Sequence, residues 1–200
     1  LVLACGAYGA AAEDQPGQAT VALMPVPPEI DGRITEGEWK PALRISGFMG
    51  WGTLGVRTGY TLVGYTREAL CLAVVSELPP DGKLVAEKTR RDSFVIMDDS
   101  IEVWIDPNPG QTRDGLPFYQ FIGNSRGAIL DIEHRTGSTP RNQAWNGDWF
   151  YANQIDQDAG VWVAELRIPF SEIGWESGAP VGKTLGILVA RNWNRPRKQM

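Results

Sequence analysis

Apolar residues in this chain alternate with polar ones far more often than they recur at helical spacing. The clearest stretch is 100–106, where Ile101, Val103 and Ile105 share one side of an extended chain and Glu102 and Trp104 share the other. A period of two is the signature of a strand. Further strands are predicted over 60–66, 70–77, 118–123, 128–133, 150–155, 161–168 and 185–192. Arg67-Glu68-Ala69 separates the first two as a hairpin turn, and Asn124-Ser125-Arg126-Gly127 and Asp156-Gln157-Asp158-Ala159-Gly160 separate two further pairs. Pro107, Pro109 and Gly110 end the strand at 106, and Pro169 ends the one at 168.

Upstream the signals differ. Pro25, Pro27 and Pro28 forbid helix and favour an extended entry. Glu29-Ile30-Asp31-Gly32 reads as a short strand closed by a turn. Thr35, with Glu38 three residues on, has the spacing of a capping box and predicts a short helix over 36–43, with Trp39 facing inward. Ser171 is placed to cap a single helical turn. Many short strands with turns between them predict an all-β fold, an antiparallel two-sheet β-sandwich with one or two short helices.

Composition sharpens this picture. A 200-residue chain fits one sandwich, and 42% hydrophobic residues against 22% charged ones suffice for a core. Eight Trp are more than a core of this size demands, which leaves one or two for a surface that stacks on flat ligands. The net charge of −5, with basic residues clustered only at Arg191, Arg195, Arg197 and Lys198, excludes a nucleic-acid face. Residues 1–7 are short and apolar, and Ala10-Ala11-Ala12 precedes Glu13 in the manner of a signal-peptide cleavage site. This reading makes 1–12 a signal-peptide remnant, 13–25 a linker and 26–200 the domain, with residues 1 to about 25 lacking core contacts. Val2-Leu3-Ala4-Cys5 also fits a lipoprotein box, so the chain is expected to be secreted or periplasmic, or lipid-anchored through Cys5. No other apolar run approaches the ~20 residues of a membrane span. Cys71, inside Leu70-Cys71-Leu72-Ala73-Val74-Val75, is expected to be a small buried hydrophobe.

The candidate chemistry lies with acids and rings. His134 is the sole histidine, so neither a Ser-His pair nor a His-metal site is supported. Glu102 and Glu165 would form a glycosidase pair only if ~5–9 Å apart; the domain is read as non-catalytic. Glu102 beside Trp104 on one strand face suits a hydroxyl-rich ligand, though the same pattern also fits a solvated face. Trp145, in a Gly/Asn-rich loop, and Trp193, after Arg191-Asn192, are candidate stacking rings. Asp98 and Asp99 could supply hard oxygen ligands to calcium, or simply precede a strand. Asp106, Asn108 and Asp114 form a second oxygen-rich stretch, which Pro107 and Pro109 make a poor calcium loop.

Four strings together resemble a known family. Ile30-Asp31-Gly32 followed by Glu36-Gly37-Glu38-Trp39 and Ala42 is similar to the opening of the family 9 carbohydrate-binding modules and their DOMON-like relatives. The stretch from Asp98-Asp99-Ser100 through Glu102 to Asp106-Pro107 resembles the family's central strand. Trp162-Val163-Ala164-Glu165-Leu166-Arg167-Ile168-Pro169-Phe170 resembles a late strand, and Gly186-Ile187 with Ala190-Arg191-Asn192 the strand after it. The resemblance implies a jelly-roll-like sandwich that holds a sugar between two aromatic rings, with Glu102 as one polar contact. Together with the rings read above, this gives a candidate ligand-binding set of Glu102, Trp104, Trp145, Arg191, Asn192 and Trp193; the resemblance also implies a structural calcium, for which Asp98 and Asp99 are the candidate ligands. The position of the first aromatic, six residues before the Glu, holds Ile96. The second lies beyond the Arg-Asn strand, and one more strand is expected past Met200. The implied partner is a polysaccharide or oligosaccharide, beside a fused or neighbouring glycan-degrading enzyme. Two alternatives stay open: an interaction domain that has lost sugar binding, favoured by Ile96, and a haem-binding DOMON-like domain using Met97 and His134.

Overall fold

A computed structural model describes residues 2–5, 17–35, 37–50, 53–54, 58–111, 114–137 and 141–194. Thirteen strands are present among them: β1 Val2–Cys5, β2 Gly17–Thr20, β3 Leu43–Ser46, β4 Met49–Gly50, β5 Thr53–Leu54, β6 Gly59–Tyr65, β7 Ala69–Glu77, β8 Ser100–Asp106, β9 Pro117–Asn124, β10 Ile129–Arg135, β11 Phe150–Asp156, β12 Val161–Pro169 and β13 Thr184–Asn192. The first sheet has the order β10-β9-β8-β13-β1-β2, the second the order β11-β12-β7-β6-β3, and β4-β5 form a small ribbon. Every pairing is antiparallel except that of β1 with β13. The expected sandwich is the observed one, and the eight expected strands are β6 to β13.

The two sheets close on one core. Ile101, Val103 and Ile105 of β8 point inward to meet Phe121, Trp162, Leu166 and Phe170. β7 departs from alternation because both its faces are covered. Leu70, Leu72 and Val74 join the central core, while Cys71 and Ala73 lie under Met24 and Trp39 on the far side of the second sheet. A continuous apolar run is what a doubly covered strand requires. Cys71 is fully buried, as expected, and burial pushes its thiol up to about 12.

Three expectations need correction. Residues 29–32 form no strand, and 37–42 are turn and bend leading into β3 rather than a helix. Thr35 and Glu38 do meet, with the hydroxyl 2.6 Å from Glu38 Oε2, although through their side chains rather than through the backbone N–H groups of a capping box. Gly37 also sits at φ +89° and Pro41 follows four residues on, so the helix cannot propagate. Third, the N-terminal segment is not free of the sandwich. β1 pairs with the edge of β13, β2 pairs with β1, and Val21 and Met24 are only 2% exposed. An open strand edge presents unpaired N–H and C=O groups that any short extended apolar segment satisfies, and the sequence signal for a targeting segment is equally that of such a strand. The stretch assigned as a linker, 13–25, thus contains a strand and two core residues. Ala10-Ala11-Ala12, Glu36, Arg195, Arg197 and Lys198 lie outside the described residues.

The opening motif and the late-strand motif meet on the outer face of the second sheet. Glu165 of β12 is fully buried and accepts the Asp31 N–H at 3.0 Å, the Gly32 N–H at 2.7 Å and the Trp39 indole N–H at 3.0 Å. Burial raises its carboxyl above the usual range, and these three bonds oppose the rise. Gly32 holds φ +87°, and a Cβ there would lie 2.5 Å from the carbonyl carbon of Asn153. The strings that the sequence singled out at both ends of the chain are therefore a latch for the loop that covers this sheet.

Candidate functional site

The outward-facing side chains of the first sheet form rows across β13, β8, β9 and β10. The register puts Ala190, Glu102, Ile122 and Leu130 in one row and Leu188, Trp104, Gln120 and Ile132 in the next. Asn192 lies opposite Ser100 at one end, and Phe118 opposite His134 at the other. A 3-10 turn over Val95–Met97 covers one side of this face. Val95 is buried against Ile122, Ala128, Leu130 and Ile132, with Ile96 partly buried beside it. On the rest of the face Trp104, Phe118, His134 and Asn192 are half-buried and Leu188 is exposed.

A polar network crosses all four strands there. Glu102 Oε1 accepts the Trp104 indole N–H, and also the Gln120 Nε2–H at 2.7 Å. Glu102 Oε2 accepts Asn192 Nδ2–H at 2.9 Å, and the same amide donates to Ser100 Oγ at 3.1 Å. His134 Nε2 lies 2.9 Å from Gln120 Oε1. A carboxylate offers about four acceptor positions. Three are filled from the described residues, so one on Oε2 remains, beside Asn192 Oδ1. Glu102 was expected at the surface; it is 6% exposed, because its neighbours lean over it to donate. Its charge is buried but compensated by three N–H donors, as a buried charge must be.

Aromatic rings flank this network. Trp104 lies 4.8 Å from His134 and 6.0 Å from Phe118, and Phe118 and His134 stack at 4.9 Å with 11° between planes. Burial first, and then the charge of Arg141, hold the His134 imidazole below its usual range, against an opposing pull from Glu102.

Other expected site residues lie elsewhere. Trp145 packs inward against Tyr119 and Phe121 at 5.1 and 5.8 Å, on the opposite face of the sheet from Glu102. Its loop is pinned by Asp131, which accepts the Gly147 N–H at 2.6 Å and Arg91 Nη2–H at 2.8 Å. Arg191 alternates with Asn192 and so points inward, with its guanidinium 4.9 Å from the Trp162 ring centre, 4.1 Å from that of Trp193, and 3.4 Å from Asp99. Arg191 thus lies in an interior stack, and the half-buried Trp193 packs against it. The structure brings together Glu102, Trp104 and Asn192 of the expected set, and adds Gln120, Phe118 and His134.

Asp98 and Asp99 are buried and surrounded by donors. Asp98 accepts the N–H groups of Glu87 and Lys88 at 3.1 and 3.0 Å and Asn124 Nδ2–H at 2.8 Å; Asp99 accepts those of Val85 and Asn194 at 2.7 and 3.0 Å as well as Arg191. Calcium needs a shell of oxygens, so this donor set does not fit it. No group of three or more His, Cys, Asp or Glu that could hold a metal occurs among the described residues. His134 does not fit haem ligation either: its Nε2 meets Gln120 and its ring lies against Trp104 and Phe118. Glu102 and Glu165 project from the outer faces of different sheets, whose planes in such packings lie about 10 Å apart, and so form no catalytic pair.

The missed residues had one signal each. Phe118, Gln120 and Ile122 share a parity on β9, and His134 falls in register on β10. Reading them as part of the site needed the β8–β9 register, which the long connection between Asp106 and Pro117 leaves open.

No family model and no curated protein matches the sequence. Solved structures do resemble it. A family 9 carbohydrate-binding module from Caldicellulosiruptor kristjanssonii, in complex with cellotriose, superposes with a TM-score of 0.56 at 14% identity, over 84% of this chain and 74% of that one. Its complex with glucose gives 0.56 at 13% identity, over 84% and 75%. The fold is that of these modules. A candidate carbohydrate-binding protein from Bacteroides uniformis ATCC 8492 gives 0.57 at 16% identity, over 78% of this chain and 72% of that one.

Proposed function

We propose that this chain is a non-catalytic carbohydrate-binding domain, and that its ligand lies on the outer face of the first sheet over Glu102, Asn192 and Trp104. The observation that carries this reading is the partly filled network. Glu102 Oε2 and Asn192 Oδ1 are adjacent acceptors, and a ring stands beside them. A ligand that fits supplies hydroxyl donors and an apolar ring face, as a pyranose does. The Glu102 charge opposes carboxylated or phosphorylated sugars, so the ligand is a neutral oligosaccharide. The fold shared with modules solved in complex with cellotriose and glucose supports the same class. Ile96 packs into an apolar cluster and offers no ring. Stacking is therefore one-sided, and the affinity is expected to be weak. Secretion, beside or fused to a glycan-degrading enzyme, is the setting this reading implies; its support is the small-residue pattern at 10–12. Calorimetric titration with glucose, cellotriose, xylotriose and mannotriose tests the proposal: saturable binding to at least one supports it, and binding to none overturns it.

A further inference from the structure

His134, like Trp104, touches both the polar network and the rings of this site. Its ring lies 4.8 Å from Trp104, and its Nε2 is 2.9 Å from Gln120 Oε1. Gln120 is only 4% exposed, so water cannot freely compensate a badly oriented amide. The two ends of that amide are nearly identical in shape but opposite in hydrogen bonding. Turned as it is, its N–H₂ donates to Glu102 Oε1 at 2.7 Å. Turned the other way, a carbonyl oxygen would face the carboxylate. The orientation is held only if the group on the other side gives a hydrogen to Oε1. A neutral imidazole carries one N–H, and it must be on Nε2.

We propose that His134 is a positioning residue for the ligand: its Nε2–H fixes the Gln120 amide, which holds the Glu102 carboxylate with its open acceptor on Oε2. This rests on the carbohydrate reading above. The signal went unread in the sequence because His134 and Glu102 are separated by a strand. The charged groups around His134 are Glu102, reached through Gln120, and Arg141. On its own strand Glu133 and Arg135 pair with each other at 2.9 Å, and Asp106 on β8 accepts the Asn108 N–H at 2.8 Å. The imidazolium keeps its Nε2–H, so protonating His134 leaves this geometry unchanged. Ligand affinity is accordingly expected not to fall as pH is lowered through the titration of His134.

Two variants separate donation from ring packing. His134→Phe keeps a ring against Trp104 and Phe118 but has no donor. His134→Gln has no ring, but its Nε2–H reaches where the imidazole Nε2–H stands. Titrated with the oligosaccharide among glucose, cellotriose, xylotriose and mannotriose that the unchanged protein binds, H134F is expected to bind roughly fivefold or more weakly. H134Q is expected to recover to within about twofold. A purely packing role predicts the reverse order and overturns the inference, as does H134F binding like the unchanged protein. If the unchanged protein binds none of the four, the carbohydrate reading falls and this inference with it. Long-range ¹H–¹⁵N spectra of the ligand-free protein give a check that needs neither variant. A neutral His134 with its proton on Nε2 is expected, and a proton on Nδ1 overturns the inference.

Discussion

Replacing Glu165 by Ala removes the acceptor for three N–H groups at once: those of Asp31, Gly32 and the Trp39 indole. Each buried donor left without a partner costs about 1–3 kcal/mol. The Asp31 bond is only part-buried, so water recovers some of that loss. The carboxylate also pays for its own burial, as its raised titration shows. Together these place the net loss at about 4 kcal/mol. For a domain of this size each kcal/mol lowers Tm by roughly 2–4 °C, so E165A should melt roughly 8–16 °C lower in thermal and urea unfolding. The sign of the pH dependence follows from the raised folded-state value. The stability this group contributes is fully present below the usual carboxylate range, and is lost as pH rises through the raised value. E165Q, which cannot ionise, should remove that dependence. Glycan affinity should be untouched in both variants, because Glu165 belongs to the other sheet. A melting shift below about 2 °C for E165A would refute the latch.

Gly32→Ala places a Cβ 2.5 Å from Asn153 backbone at φ +87°, so it should lose about 3 kcal/mol or more in urea unfolding; a neutral result would contradict the close approach. Cys71, with its thiol pushed up to about 12, should resist iodoacetamide at pH 8 until the protein is unfolded, as peptide mapping by mass spectrometry would report; labelling of the native protein at Cys71 would contradict its burial. Because Asp98 and Asp99 are filled by N–H donors, adding calcium or EDTA should leave Tm unchanged; a rise with calcium would show that these residues rearrange around the ion.

The strands were legible wherever one sheet face is buried. Stretch 100–106 alternates cleanly because Ile101, Val103 and Ile105 face the core while Glu102 and Trp104 do not. The apolar run at 70–75 was equally readable as a strand, although its second cover, by Met24 and Trp39, was not. The contacts of the N-terminal segment were not legible, since four extended apolar residues look the same in a leader and in an edge strand. The helix at 36–43 failed because Thr35 and Glu38 bond through their side chains without capping the backbone, and Gly37 and Pro41 stop a helix there. Glu102, Trp104 and Asn192 were found as a group through local strings. Trp145 was not, since the pull of Asp131 on Gly147 that turns it inward comes from a strand remote in sequence. Gln120 and His134 depend on register between strands, which no single stretch of sequence encodes.

The central claim is that the Glu102–Trp104 face holds a neutral sugar, and calorimetry on three proteins tests it most directly. The unchanged chain, Glu102→Ala and Trp104→Ala are titrated with glucose, cellotriose, xylotriose and mannotriose, with far-UV circular dichroism confirming that each is folded. A hydrogen bond to a charged group contributes about 1.5–3 kcal/mol, and 1.4 kcal/mol is about tenfold in affinity. The account predicts saturable binding of at least one oligosaccharide by the unchanged chain, weakened about tenfold or more by E102A and also weakened by W104A. Binding that both folded variants retain in full, or no saturable binding by the unchanged chain, would contradict it.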